Sequence, residues 1–171
     1  MFIIFMGVSG CGKTTIGKKT ADLFGVAYYE GDDYHPPENV EKMSQGIPLS
    51  DEDREGWLET LSKLIKEKLD VGESGVLSCS ALKETYREKL RVNSELVRFV
   101  YLKGTYDLIR SRMKARTGHY MPADLLKSQF EALEEPKDVF TVDVGKDPND
   151  ILYEVVAYLI TIGFTTSQVK S

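Results

Sequence analysis

Gly7-Val8-Ser9-Gly10-Cys11-Gly12-Lys13-Thr14 matches the pattern GxxxxGK[ST] at every fixed position. The glycines let the backbone wrap tightly, so that successive N–H groups from Gly7, Ser9, Gly10, Cys11 and Gly12 converge on an anion. A helix starting near Lys13 adds the positive end of its dipole. Lys13 supplies a point charge for β- and γ-phosphates, Thr14 a hydroxyl for Mg²⁺, and Thr15 a hydroxyl for an α-phosphate. Cys11 fills a variable position and is read as a small side chain the loop tolerates. The loop calls for a nucleoside triphosphate with Mg²⁺.

The flanks agree with the loop. Phe2 to Met6 is a short apolar run, read as a buried parallel strand. Lys13 to Phe24 reads as a helix with Ile16, Leu23 and Phe24 as apolar contacts and Gly25 as its stop. Further on, strands are expected at Val26 to Tyr29, Val76 to Ser80, Val97 to Leu102 and Phe140 to Val144. Helices are expected from Pro36-Pro37 to Ser44, from Ser50 to about Leu69, and at Lys83 to Arg91, Tyr106 to Arg116, Pro122 to Glu134 and Ile151 to Ile160. Ser50 with Asp53 three residues later is a variant capping box. Trp57, Leu58, Leu61, Ile65 and Leu69 form one apolar stripe behind it. Strands alternating with helices predict an α/β fold, a three-layer α/β/α arrangement around a five-stranded parallel sheet. Ligands in such sheets bind beyond the carboxyl ends of the strands.

At 171 residues the chain is expected to be a single domain over 1–171, with a lid at about 112–135 and a polar, frayed tail at 165–171. A net charge of −5 gives no basic field, which argues against a nucleic-acid partner. No apolar run reaches the roughly 18 residues a membrane span needs. The apolar segment Met1 to Met6 is short and lacks a basic region, so it reads as a strand and not as a signal peptide. Cys11 and Cys79 lack metal-type spacing, which fits a reduced, cytoplasmic chain without a disulfide.

The loop is common to several classes. A GTPase would carry DxxG and NKxD segments, and neither is present. The third expected strand ends in Cys79-Ser80, without the acidic residue of a mechanical ATPase. The compact nucleoside and metabolite kinases remain. They need an acid after the second strand and arginines in a lid. Asp32 fits the first need, accepting the proton of an attacking hydroxyl or holding Mg²⁺ through water; Asp33 suits a solvated turn. Arg112 and Arg116 share a helix face at i, i+4 and fit the second. Arg112 is placed on the adenine and Arg116 on the phosphates.

Beyond these features the chain resembles the gluconate kinases (gluconokinases) of the P-loop kinase group. The resemblance rests on the loop itself, Gly31-Asp32-Asp33-Tyr34-His35-Pro36, Asn39-Val40-Glu41-Lys42-Met43 and Gly46-Ile47-Pro48-Leu49. It continues through Asp53-Arg54 with Trp57-Leu58, Cys79-Ser80-Ala81-Leu82-Lys83 with Tyr86-Arg87, and Tyr101-Leu102-Lys103-Gly104. It ends on Arg112, Arg116, His119-Tyr120-Met121, Gln129-Phe130-Glu131, Leu133-Glu134 and Pro136. These stretches run in family order over most of residues 5–145. The resemblance implies the strand order 2-3-1-4-5, ATP-dependent phosphorylation of D-gluconate to 6-phosphogluconate, and a homodimer.

Such an acceptor has one carboxylate and five hydroxyls. Its carboxylate wants a fork donor, for which Arg54 and Arg87 are the candidates. Its hydroxyls want groups such as Asp32, His35 and Ser80. With the resemblance, Lys83 joins the acceptor residues. Trp57 reads as packing beneath the acceptor helix, and His119 as a lid residue with no assigned role. Two other readings stay open from the residues: a kinase for another small acceptor such as shikimate or adenylylsulfate, and a non-catalytic ATP-binding module.

Overall fold

A computed structural model describes residues 1–116 and 123–165. The five strands are β1 (Phe2–Met6), β2 (Ala27–Glu30), β3 (Gly75–Ser78), β4 (Val97–Lys103) and β5 (Phe140–Asp143). They form one sheet in the order β2-β3-β1-β4-β5, and every pairing is parallel. Both the class and the order expected are therefore found.

β1 lies at the centre, and all five of its side chains are buried. Side chains alternate across a strand, so β1 feeds two cores. Ile3 and Phe5 join Val76, Val100 and Val142 on one face, under α1 (Lys13–Phe24) and α7 (Pro148–Thr161). Phe2, Ile4 and Met6 join Leu77 and Phe99 on the other, under α3 (Asp51–Asp70) and α4 (Glu84–Leu90). That second face receives the stripe Trp57, Leu58, Leu61 and Ile65, all buried, with Leu69 packed at its edge. Each fully buried apolar side chain contributes about 1.5–3 kcal/mol, so this stripe fixes α3 far more firmly than helix propensity does.

The capping box at the start of α3 is closed on both sides. Ser50 Oγ accepts from Asp53 N–H at 3.1 Å, and Asp53 Oδ2 accepts from Ser50 N–H at 2.9 Å. Of the contacts expected for α1, Ile16 and Phe24 are buried, but Leu23 is 58% exposed. Position 23 falls one step off the stripe that faces the sheet and looks outward. The last helix begins three residues before the expected Ile151, at Pro148, because Asp147 caps it by accepting from Asn149 N–H at 2.8 Å.

The remaining helices are α2 (Pro37–Ser44), α5 (Tyr106–Ala115) and α6 (Ala123–Ala132). Residues 117–122, which include His119 and part of the expected lid, lie outside the described residues, as do 166–171 of the expected tail. Among the described residues no helix is long and apolar enough to cross a membrane.

The parallel register brings the ends of β1, β2 and β3 side by side. Gly7 N–H, just past β1, donates to Ser80 O at 3.2 Å. Gly7 has φ +139, and a Cβ there would sit 2.7 Å from Leu102 O, so only glycine lets the loop turn so close to β4.

Candidate active site

The loop between β1 and α1 is drawn in around Lys13, whose Nζ donates to Gly7 O at 3.0 Å and to Val8 O at 2.9 Å. Beside it, Thr14 Oγ1 donates to Glu30 Oε2 at 2.7 Å. Glu30 ends β2, and Tyr28 OH donates to the same Oε2 at 2.7 Å, which fixes that carboxylate in place. Desolvation raises the Tyr28 pKa above its ordinary value, so the phenol remains a donor.

A cavity of about 580 Å³ lies over this loop. Gly10, Gly12, Lys13, Thr14 and Thr15 line it from below, and Arg116 lines it from the end of α5. Gly7 does not line it, because its N–H is spent on Ser80, and Cys11 is buried beneath the loop. Arg112 is also outside it: Nη2 donates to Val144 O at 2.6 Å, which ties α5 to the end of β5. The Cys79 thiol, pushed up to about 12 by burial, is inert at neutral pH.

A second cavity of about 310 Å³ adjoins the first. The two share Ser9, Lys13 and Asp32. Its other walls include His35, Arg54, Trp57 and Ser80, closed over by Met113 and α6 residues such as Gln129. Trp57 is 2% exposed and donates from Nε1 to Gly31 O at 2.7 Å, which pins the turn that carries Asp32. The His35 ring stacks on Trp57 with centroids 4.1 Å apart and planes 18° apart. Burial first, and the positive field of Arg54 second, push the imidazole down to about 4. It is neutral at pH 7. Asp32 is open to the cavity, its side chain 74% exposed, with Oδ1 3.9 Å from His35 Nε2.

Arg54 projects from the first turns of α3. Its Nη1 donates to Leu49 O at 2.5 Å and to Tyr86 OH at 3.3 Å. Tyr86 OH in turn donates to Asp51 Oδ1. Among the described residues these are the hydrogen bonds of the Arg54 guanidinium, so the Nε–Nη2 edge remains for a bidentate anion.

Two expected acceptor residues are not brought to the cavity. Arg87 is 1% exposed, and every guanidinium nitrogen is committed. Nε donates to Glu84 at 2.8 Å, Nη1 to Ala81 O at 2.8 Å and Leu82 O at 3.1 Å, and Nη2 to Glu134 O at 2.9 Å. It holds α4 to the chain that follows α6. Lys83 does not line this cavity and pairs with Asp51 at 3.0 Å. Asp33 is exposed and lines neither cavity, as its reading as a turn residue expects.

Three polar residues were not singled out from the sequence. Glu30 sits one step before the glycine of the Gly31-Asp32 segment, and its place at a strand end was the available signal. Gln129 Oε1 accepts from Ser9 N–H at 2.8 Å, and Nε2 donates to Ser9 Oγ at 3.0 Å. Asn39, 3% exposed, lies behind His35. The last two belong to the segments that carry the resemblance, but spacing alone gives them no partner.

Comparison with known proteins gives the family. The family model described as "Shikimate kinase" matches residues 9–155. The thermosensitive gluconokinase of Escherichia coli is 51% identical over 148 residues, covering 84% of this chain and 79% of that protein. The gluconokinase of Gluconobacter oxydans is 43% identical, covering 92% of this chain and 90% of that protein. The crystal structure of a gluconokinase from Sinorhizobium meliloti superposes with a TM-score of 0.84 at 44% identity, covering 94% and 91% of the two chains. A phosphate loop, an acid facing it across a shared boundary and an arginine beyond that acid thus stand in a chain that belongs to the gluconokinase family of P-loop kinases.

Proposed function

We propose that this chain transfers the γ-phosphoryl group of ATP to the 6-hydroxyl of D-gluconate, giving 6-phosphogluconate and ADP. The observation that carries the reading is the shared boundary of the two cavities. Ser9, Lys13 and Asp32 border both. A phosphate on the loop and a hydroxyl in the smaller cavity therefore meet at these three side chains.

The triphosphate lies along the loop N–H groups, with Lys13 leaving its carbonyl partners for the phosphate oxygens. Arg116 meets the phosphates from the end of α5. The acceptor lies with its carboxylate on the Nε–Nη2 edge of Arg54, and its hydroxyls toward His35, Ser80 and Asp32. The 6-hydroxyl oxygen attacks phosphorus as its proton passes to Asp32. The new O–P bond forms as the bond to the β,γ-bridging oxygen breaks, and ADP departs with the electron pair. Positioning and charge neutralisation provide most of the acceleration in such transfers.

The donor set fits Mg²⁺. A hydroxyl and a carboxylate meet at Thr14 and Glu30, with Asp32 in the same cavity. Mg²⁺ takes hard oxygen ligands and is commonly held by one or two carboxylates together with waters and phosphates. Thr14, with Glu30 or Asp32, would hold the ion, which supplies neutralisation of phosphate charge. The homodimer and the cytoplasmic location belong to the same proposal.

The test is ADP release measured with gluconate, glucose, shikimate and other sugar acids. Gluconate is expected to be preferred over all of them. Shikimate turnover equal to that of gluconate, or ATP binding without acceptor-dependent turnover, would overturn the reading.

A further inference from the structure

Asn39 is a buried amide that touches neither cavity. Its Nδ2 donates to Asp53 O at 2.7 Å and lies 3.2 Å from His35 Nδ1. The orientation of the amide follows from the first contact. A backbone carbonyl only accepts, so the Asn39 atom beside Asp53 O must be the nitrogen. The same nitrogen then presents its second hydrogen to His35 Nδ1. A ring nitrogen that accepts carries no proton, and in a neutral imidazole the proton must sit on the other nitrogen.

The ring has no freedom to escape this arrangement. Its side chain is 3% exposed and stacks on Trp57, which is itself held by its bond to Gly31 O. The remaining nitrogen, Nε2, faces Asp32 Oδ1 across 3.9 Å. That separation is too long for a direct hydrogen bond, yet one oxygen at about 2.8 Å from each atom fits between them.

We propose that Asn39 is a positioning residue that locks His35 as the Nε2–H tautomer, so that the imidazole donates to an acceptor hydroxyl lying between it and Asp32. The hydroxyl then gives its own hydrogen to Asp32 and takes one from Nε2. Both of its in-plane partners are fixed, and the remaining lone pair is the one left for phosphorus. A Nδ1–H tautomer would present a second acceptor beside Asp32, and the hydroxyl could satisfy only one of them. The proposal rests on the reading of Asp32 and His35 as acceptor ligands. The lock itself is a property of the free protein.

The experiment is long-range ¹H–¹⁵N spectroscopy of the full chain near neutral pH. There are two histidines, so His119→Gln identifies the ring signals of His35. The parent is expected to show Nδ1 at the shift of an unprotonated ring nitrogen and Nε2 at that of a protonated one. The reverse pattern overturns the lock, and this arm needs no variant at position 39. Asn39→Asp replaces the donor with an acceptor and should protonate Nδ1. Turnover with gluconate should then fall on the order of 10²-fold, the scale of a misplaced proton-transfer partner, while the KM for ATP holds. Asn39→Ala should give mixed tautomers and a smaller loss. Parental turnover in Asn39→Asp with Nδ1 protonated overturns the role assigned to the tautomer. If the parent shows the Nε2–H pattern but does not phosphorylate gluconate, the lock stands and the gluconate reading fails.

Discussion

Gln129 grips Ser9 with both ends of its amide, the oxygen taking the loop N–H and the nitrogen giving to the hydroxyl. This pair joins α6 to the phosphate loop across 120 positions of sequence. Gln129→Ala should release α6 from the loop. Two neutral hydrogen bonds contribute roughly 1–3 kcal/mol together, so exchange of the α6 amides should speed up by about ten-fold or more. Unchanged exchange in α6 would show that other contacts hold it.

Lys13→Ala should leave the fold intact and remove phosphoryl transfer. Its ammonium binds the loop carbonyls of Gly7 and Val8 and is the loop's own cation. Loss of one such donor costs on the order of 10² or more in turnover. A folded variant with near-parental turnover would remove Lys13 from the mechanism.

Asp32→Asn should cripple turnover and spare ATP binding, because the amide keeps the shape and cannot take the hydroxyl proton. Asp33→Asn should be mild, since Asp33 lines neither cavity. Steady-state kinetics beside nucleotide titration separate the two effects. A sensitive Asp33 would place the base one residue later.

Arg54→Lys keeps the charge and loses the fork. The KM for gluconate should rise strongly, by about ten-fold or more for a bidentate contact, with the KM for ATP unchanged. Tyr86→Phe removes the hydroxyl beside Arg54 Nη1 and should raise the same KM by less. Glucose, which lacks the carboxylate, should be a poor acceptor. An Arg54→Lys protein that matches the parent would leave the carboxylate without a partner in this cavity, because Arg87 has no free nitrogen to offer.

Acid should loosen the start of α3. The hydrogen bond from Lys42, followed by that from Ser50 N–H, holds the Asp53 carboxyl down at about 2, below its ordinary 3.8. A depressed carboxylate pKa contributes stability above the unfolded value and loses it as pH falls through the folded one. Thermal unfolding should therefore show a contribution from Asp53 that fades between about pH 4 and pH 2. In Asp53→Asn that part of the pH dependence should flatten; an unchanged curve would exclude the pair with Lys42 as its source.

The sheet was legible because β1 is apolar throughout and runs straight into the glycine loop, a combination with few structural solutions. The segments around Asp32 and Arg54 pointed to these two residues, and both line the smaller cavity. Arg87 was misread because a sequence does not show burial. A guanidinium beside an acceptor motif and a guanidinium clamped on carbonyls have the same spelling. Leu23 misled for a related reason, since an apolar letter one step off a helical stripe still looks like part of it. Gln129 escaped because its partner Ser9 lies 120 positions away in the chain, and Asn39 because spacing does not show which atoms a buried amide meets.

The narrow border between the cavities bears on how such enzymes diversify. The donor side is built mainly from one piece of chain, 9–15, with Glu30, Asp32 and Arg116 added. A large share of the acceptor wall comes from another piece, with His35, Met43, Pro48, Leu49, Arg54 and Trp57 all lying within 35–57. Heritable change in the second piece can therefore alter what is phosphorylated while the machinery for using the nucleotide passes on untouched. A lineage with this layout can explore new acceptors by rewriting α2, the start of α3 and the turn between them.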